Sequence, residues 1–151
     1  MKEMKMRNEE MRLSEHFTLA ELCKTSTGLK NEPNEAQVTN LKRLCGWLER
    51  LRQRYNNTPI IINSGYRSPQ VNKAVGGAPN SNHVTGCAVD IRVGGIEQAL
   101  RYAVILLDIA DEGREEFDEL LMERNAKGTY WLHFAVRPEG NRRKIVFLRA
   151  L

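Results

Sequence analysis

The chain is organised around the stretch Ser81-Asn82-His83-Val84-Thr85-Gly86-Cys87-Ala88-Val89-Asp90. It places a histidine and an aspartate seven positions apart, with an apolar run leading into the aspartate. The alternation before Asp90 predicts a β-strand, and Gly86 marks a turn between the two polar side chains. Imidazole nitrogen and carboxylate oxygen are donors that zinc accepts from proteins. The stretch therefore supplies two candidate metal ligands, and a metal site needs at least one more.

A third candidate ligand, His133, lies in the apolar run Tyr130–Val136, whose composition predicts a strand. A single histidine on a strand is more often structural than a metal ligand. Together with His83 and Asp90, however, it completes a His-Asp-His set. Three protein ligands with an open fourth position are typical of a catalytic zinc site, where the ion activates a water molecule. The sequence thus predicts zinc at His83, Asp90 and His133.

Hydrolysis at such a site also needs a carboxylate that takes up the proton of the attacking water. The predicted strand 117–123 can form a hairpin with the strand that carries His133. If Glu123 lies opposite Trp131, both Glu119 and Glu123 share a face with His133, because side chains alternate along strands. Both glutamates are then candidates for the catalytic base, and the register of the hairpin does not choose between them.

Two further polar residues are candidates for binding a substrate. Arg67 lies on a tight turn that follows the β-branched run Ile60–Ser64. Its guanidinium can bind a carboxylate or a developing oxyanion through paired, charge-assisted hydrogen bonds, although the position is equally typical of a surface arginine. Ser81 can add a hydrogen bond at the mouth of the site. It lacks the neighbouring base that a serine nucleophile requires.

The remaining pattern predicts a single α+β domain: a small, mostly antiparallel sheet with packed helices and the zinc site on the sheet. One amphipathic helix is predicted over 35–55, with apolar positions Val38, Leu41, Leu44, Cys45, Leu48 and Leu51. Another is predicted over 96–110, with apolar positions Ile96, Leu100, Ala103, Val104 and Leu107. Residues 1–12 are charged and methionine-rich, which predicts a flexible lead-in to a domain over 13–151.

Composition excludes several classes of protein. Hydrophobic residues make up 41% of the 151 positions and charged residues 28%, which is typical of a globular domain. No apolar run reaches the ~18 residues of a membrane helix, and no apolar segment follows the charged N-terminus as in a secretory signal. The net charge of +4 comes from 23 basic and 19 acidic residues. Because no aromatic residues interleave with a basic stripe, nucleic acid is not an expected partner.

These residues together resemble a known family, the M15 zinc peptidases. The resemblance is narrower to the branch that includes D-alanyl-D-alanine carboxypeptidases and phage-type peptidoglycan endopeptidases. It rests on four motifs: Ser64-Gly65-Tyr66-Arg67-Ser68, Val75-Gly76-Gly77-Ala78, Ser81-x-His83-x-x-Gly86-x-Ala88-x-Asp90 and Trp131-x-His133. The opening segment Leu13–Leu22 resembles the same branch, so the similarity extends over about residues 13–147.

The resemblance implies a zinc metallopeptidase with zinc held by His83, Asp90 and His133, and with Arg67 contacting the substrate. The implied substrates are peptidoglycan stem peptides, cut by a D-Ala-D-Ala carboxypeptidase or by an endolysin-type endopeptidase. The implied place of action is the bacterial cell wall, which a protein made in the cytoplasm without a signal peptide reaches after release. We expect a monomer.

The catalytic acid departs from the pattern of many family members. They carry it three residues before the last histidine, where this chain has Tyr130, and a phenol that titrates near 10 is a poor base at neutral pH. In the branch that the chain most resembles, a glutamate closes a Phe-Asp-Gln-Leu-Ile-x-Glu-like strand, which favours Glu123 over Glu119. The Tyr130 departure also motivates an alternative: a catalytically weak or inactive M15-like module that binds the wall or belongs to a phage particle.

Overall fold

The computed structural model describes residues 11–151, so residues 1–10 of the predicted lead-in lie outside the described residues. The helices in this part of the chain are α1 (Leu19–Leu22), α2 (Glu35–Arg54), α3 (Pro69–Ala74) and α4 (Ile96–Gly113). The strands are β1 (Ile62–Ser64), β2 (Ala88–Arg92), β3 (Glu119–Arg124), β4 (Tyr130–Ala135) and β5 (Lys144–Ala150). They form one sheet in the order β1-β2-β4-β3-β5.

Neighbouring strands of the sheet are antiparallel except β3 and β5, which are parallel. The predicted single-domain α+β fold with a mostly antiparallel sheet is therefore confirmed. Since β2 and β3 both run antiparallel to β4, the unit β2-α4-β3 is a crossover with β4 inserted between its two parallel strands. Among residues 11–151, none of the helices combines the length and apolarity needed to cross a membrane.

Helix α2 packs against the sheet through the apolar face that its sequence predicts. Asn34 caps its first turn in a capping box with Gln37, which satisfies backbone N–H groups that have no partner inside the helix. Trp47 lies on the buried side, and its ring centroid is 5.3 Å from that of Phe134 on β4. Most of the predicted stripe is buried, and only Val38 stays partly exposed. This helix anchors the strand that carries His133.

The predicted face of α4 is wrong in part: Ala103 is buried and Leu107 packs partly against the core, but the other three residues are exposed. Ile96, Leu100 and Val104 are exposed by 44%, 39% and 56%. The buried face instead comprises Ala99, Tyr102, Ala103, Leu106, Ile109 and Ala110. Apolar residues occur nearly all round this helix, so periodicity alone does not choose a face. The face with three alanines is the one that packs on the sheet and on α2.

The two faces of the sheet carry different chemistry because side chains alternate along each strand. Leu120 and Met122 of β3, with Leu132 and Phe134 of β4, belong to the hydrophobic core beneath the helices. The opposite face carries polar side chains, among them Asp90, Glu119, Glu123 and His133. One face of the sheet is thus part of the hydrophobic core, and the other face lines a polar pocket.

Candidate active site

The three predicted metal ligands come together on the polar face of the sheet. Asp90 of β2 and His133 of β4 are direct partners in the antiparallel register. His83 reaches them from the loop that precedes β2. One ligand atom from each residue can be chosen so that all lie within 4.8 Å of one another. Residues far apart in sequence therefore converge into one cluster, as predicted.

The spacing of the donors suits a zinc ion. The Asp90 Oδ1 atom is 3.3 Å from His83 Nε2 and 3.1 Å from His133 Nδ1. In a tetrahedral zinc site with bonds of about 2.0–2.1 Å, neighbouring ligand atoms lie about 3.3 Å apart. Two imidazole nitrogens and one carboxylate oxygen are also donors that zinc favours. The cluster thus fits zinc in both geometry and chemistry.

Local backbone packing sets the orientation of His83. Its Nδ1 atom is 2.7 Å from the carbonyl oxygen of Gly65. Because a carbonyl only accepts hydrogen bonds, Nδ1 carries the proton and Nε2 keeps its lone pair for a metal. Gly65 must be a glycine here, since a Cβ atom would lie 2.3 Å from the Leu22 carbonyl oxygen. Gly86 has a φ of +76°, and its Cβ would come within 2.7 Å of the Gln37 carbonyl oxygen.

A carboxylate holds His133 from the other side. Glu119 Oε1 lies 3.0 Å from His133 Nε2 and 2.7 Å from the amide nitrogen of Asn82. Burial by itself would raise the pKa of Glu119, but hydrogen bonds from His133 and Asn82, with the charge of His133, lower it to about 2. Glu119 is thus ionised and accepts a hydrogen bond from His133, a candidate ligand. A carboxylate of such low pKa takes up a proton poorly near neutral pH.

Glu123 has a different environment. The register assumed from the sequence occurs: Glu123 lies opposite Trp131, and Trp131 Nε1 donates to Glu123 Oε1 over 3.2 Å. Glu123 is 6% exposed, and its Oε1 atom is 3.8 Å from His133 Nδ1. Burial raises the pKa of Glu123, although the charge of His133 and the hydrogen bond from Trp131 act against it. A carboxylate beside the ligands with a raised pKa is suited to accept and return a proton.

The two predicted substrate-binding residues both line the pocket. Arg67 Nη2 is 3.1 Å from Asp90 Oδ2, and its Nε donates to the Ser64 hydroxyl. The Arg67 guanidinium is therefore held against Asp90, a candidate metal ligand, while it borders the pocket. The Ser81 hydroxyl accepts the backbone N–H of His83 over 3.2 Å. Ser81 thus shapes the loop at the pocket mouth.

Tyr130, the departure from the common family pattern, lies away from the predicted ligands. It begins β4, three residues before His133, so alternation turns the two side chains to opposite faces. The Tyr130 ring lies beneath the guanidinium of Arg124, its partner across the hairpin. Tyr130 therefore does not take the place of the catalytic acid.

The pocket has a volume of about 500 Å³ and contains several polar residues that sequence reasoning missed. They are Asn80, Asn82, Arg137, Arg142 and Arg149. Asn82 could have been identified from the sequence because it directly precedes the predicted ligand His83. The arginines follow β4 or belong to β5, and their approach to the pocket depends on long-range pairing that no local pattern reveals.

A buried aspartate, Asp118, holds three of these additional pocket residues, Asn82, Arg137 and Arg142, in place. The Asp118 side chain is 0% exposed and accepts hydrogen bonds from Asn82 and from Arg142, whose Nη2 lies 2.8 Å away. Arg137 Nε is 3.2 Å from the same carboxylate. Burial by itself would raise the pKa of Asp118, but the hydrogen bonds from Arg142 and Asn82 lower it to about 2. Asp118 thereby supports Asn82, which in turn contacts Glu119.

Replacing Asp118 with asparagine is expected to lower the free energy of unfolding by about 2 kcal/mol at pH 7, because the buried carboxylate loses its charge-assisted hydrogen bonds from Asn82 and Arg142. The Asp118 pKa lies below its ordinary 3.8, so the ionised carboxylate stabilises the fold above that pH. This stability is lost as pH falls through about 2. The wild type and the variant should therefore converge between pH 4 and 2 in urea unfolding of metal-free protein.

Exposed Asp111, which pairs with Arg143 at the surface, provides the control for that experiment. Asp111→Asn should change the free energy of unfolding by less than about 1 kcal/mol. An Asp118→Asn effect as small as that of the control would contradict the supporting role of Asp118.

Comparison with known proteins agrees with the geometry. The zinc D-Ala-D-Ala carboxypeptidase of Streptomyces albus G is 35% identical over 81 residues, which cover 52% of this chain and 32% of that relative. The aligned segment is thus about a third of the relative's length. A family model described as Peptidase M15 matches residues 15–120, a segment that carries Arg67, His83 and Asp90. Since this match covers most of the sequence, the chain belongs to the peptidase M15 family.

Proposed function

We propose that this protein is a zinc-dependent peptidase that releases the terminal D-alanine from peptidoglycan stem peptides ending in D-Ala-D-Ala. The observation that carries the proposal is the convergence of His83, Asp90 and His133 beside the buried carboxylate of Glu123 in one pocket. The similarity to the Streptomyces albus G zinc D-Ala-D-Ala carboxypeptidase supports the choice of metal and bond.

Each residue has a defined task in this proposal. His83, Asp90 and His133 would hold zinc, which would supply Lewis acidity to polarise the scissile carbonyl and to lower the pKa of a water molecule. Glu123 accepts the proton of the attacking water and donates it to the nitrogen of the leaving D-alanine. Its raised pKa favours this return of the proton. Arg67 holds Asp90 by the Oδ2 atom, which leaves Oδ1 facing the two histidines.

Glu119 positions a ligand and does not carry the proton. It accepts the Nε2–H of His133 over 3.0 Å, so Nδ1 faces Asp90 and the metal position. A carboxylate on the far nitrogen of a ligating imidazole fixes the ring and increases its basicity. The two glutamates that the hairpin brings to one face therefore have separate roles.

We propose that the protein acts on the cell wall after release from the cell, because its proposed substrate lies there. A net charge of +4 favours weak attraction to the anionic polymers of the wall.

The test is incubation of zinc-loaded protein with a stem pentapeptide ending in D-Ala-D-Ala and with purified peptidoglycan of several chemotypes. We expect D-alanine release that stops when the metal is removed by a chelator and resumes when zinc is restored. New amines without D-alanine would instead identify an endopeptidase. No hydrolysis of any substrate by protein with demonstrably bound zinc would contradict the proposal and favour a wall-binding module.

A further inference from the structure

The pocket is lined by four arginines: Arg67, Arg137, Arg142 and Arg149. Arg67 is paired with Asp90. Arg137 and Arg142 are paired with Asp118. Within residues 11–151, Arg149 is the one guanidinium of this set that makes no ion pair with a carboxylate. It is therefore available to a negative group on a substrate.

An irregularity in β5 turns Arg149 toward the pocket. Leu121 pairs with Val146, but Glu123, two residues further along β3, pairs with Arg149, three residues further along β5. β5 thus has one more residue than β3 between the two pairs, and such a shift of register re-aims the side chains that follow it. Without the extra residue, Leu148 would stand opposite Glu123. The register shift thus places a cation at that position instead of an apolar side chain.

The position of Arg149 corresponds to a particular part of the substrate. Glu123 is the proposed donor to the leaving nitrogen, and Arg149 is its neighbour on the adjacent strand. In a C-terminal residue the carboxylate carbon is only ~2.5 Å from that nitrogen, because two bonds separate them. A substrate whose leaving nitrogen meets Glu123 therefore carries its terminal carboxylate near Arg149. A substrate cut in the middle of a chain has an uncharged amide at the same place.

We propose that Arg149 binds the free α-carboxylate of the substrate's C-terminal residue and thereby selects for removal of a terminal amino acid. This inference rests on the proposed function, since it assigns a residue to the specificity of the same site. Paired N–H groups of a guanidinium match a carboxylate in geometry as well as charge. The subsite lies on β5, beyond the residues 15–120 that match the family model.

The experiment compares two substrates that differ only in charge: a peptide ending in D-Ala-D-Ala as its free acid and the same peptide as its C-terminal amide. For zinc-loaded wild type we expect a higher kcat/KM for the acid. Arg149→Gln should lower kcat/KM for the acid by about 10- to 100-fold, mainly through KM, because a charge-assisted hydrogen bond is lost. The amide should change less than about 2-fold. Arg149→Lys should restore part of the preference because the charge returns.

The matched control is Arg101→Gln, which removes an exposed arginine from α4 that pairs with Glu97. It should leave both substrates unaffected, and the melting temperatures of all variants should agree. A wild type that cleaves acid and amide equally well, or an Arg149→Gln protein that keeps the preference, overturns the subsite and leaves the proposed peptidase function standing. A zinc-loaded wild type that cleaves neither peptide overturns both.

Discussion

Replacing Glu123 with glutamine is expected to lower kcat for D-alanine release by about 10²- to 10⁴-fold, the usual contribution of a general acid–base group. Glutamine keeps the size of the side chain and can still accept the Trp131 N–H, so the fold should persist. Because Glu123 is 3.8 Å from His133 and not among the three ligands, zinc affinity should change little. Single-turnover kinetics with saturating zinc and a zinc titration measure the two quantities separately.

Glu119→Gln is the matched comparison for this experiment. It makes the same chemical change on the same face of β3, four residues away. Here the order of effects should reverse: zinc affinity weakens by about 10- to 100-fold, as for other residues that orient a metal ligand. At saturating zinc, kcat should stay within about 10-fold of wild type. A larger loss of kcat in Glu119→Gln than in Glu123→Gln would show that the two assignments are exchanged.

The second large effect is expected for His133→Ala. It removes one of three ligands and leaves Glu119 without the imidazole that it contacts. Zinc affinity should fall by more than about 100-fold, exceeding the loss expected for an orienting residue. D-Alanine release should then disappear at zinc concentrations that saturate the wild type. Competition with a chromogenic chelator and metal analysis after dialysis measure the affinity and the stoichiometry.

His16 supplies the control because the chain contains only three histidines. Its ring is partly exposed and lies 2.7 Å from Glu49, away from the proposed ligands. His16→Ala should retain wild-type zinc stoichiometry and activity. One tightly bound zinc per chain in His133→Ala would contradict the proposed ligand set.

Much of the fold follows from patterns that are local in sequence. The pairing of Glu123 with Trp131 was an assumption that the hairpin bears out, and it keeps the apolar side chains of both strands on the core face. Helix α2 was predictable because its apolar residues occupy a single stripe and Asn34 caps its start. The buried face of α4 was not predictable, because Ile96, Leu100 and Val104 form a second apolar stripe. Only the packing of the folded chain shows that this stripe is exposed.

The candidate site likewise contains residues that local sequence motifs predict and residues that they do not. Its predicted ligands belong to motifs with fixed spacing, and the structure brings them together. The other polar residues of the pocket are positioned by contacts between residues distant in sequence. Asp118 accepts hydrogen bonds from Asn82, 36 residues away in sequence, and from Arg142, 24 residues away. The approach of Arg149 to Glu123 depends on a shift of register between β3 and β5, which has no signature in the sequence of β5. Separating the roles of Glu119 and Glu123 required knowing which atom of His133 each one faces.

The measurement that tests the central claim most directly is an anomalous-scattering map at the zinc edge from crystals of zinc-loaded protein. We predict one peak bonded at about 2.0–2.2 Å to His83 Nε2, Asp90 Oδ1 and His133 Nδ1. Glu123 should lie within hydrogen-bonding reach of the fourth coordination position, with Glu119 still bound to His133 Nε2. A peak elsewhere in the molecule, or a fourth position that faces Glu119 and not Glu123, would contradict the account.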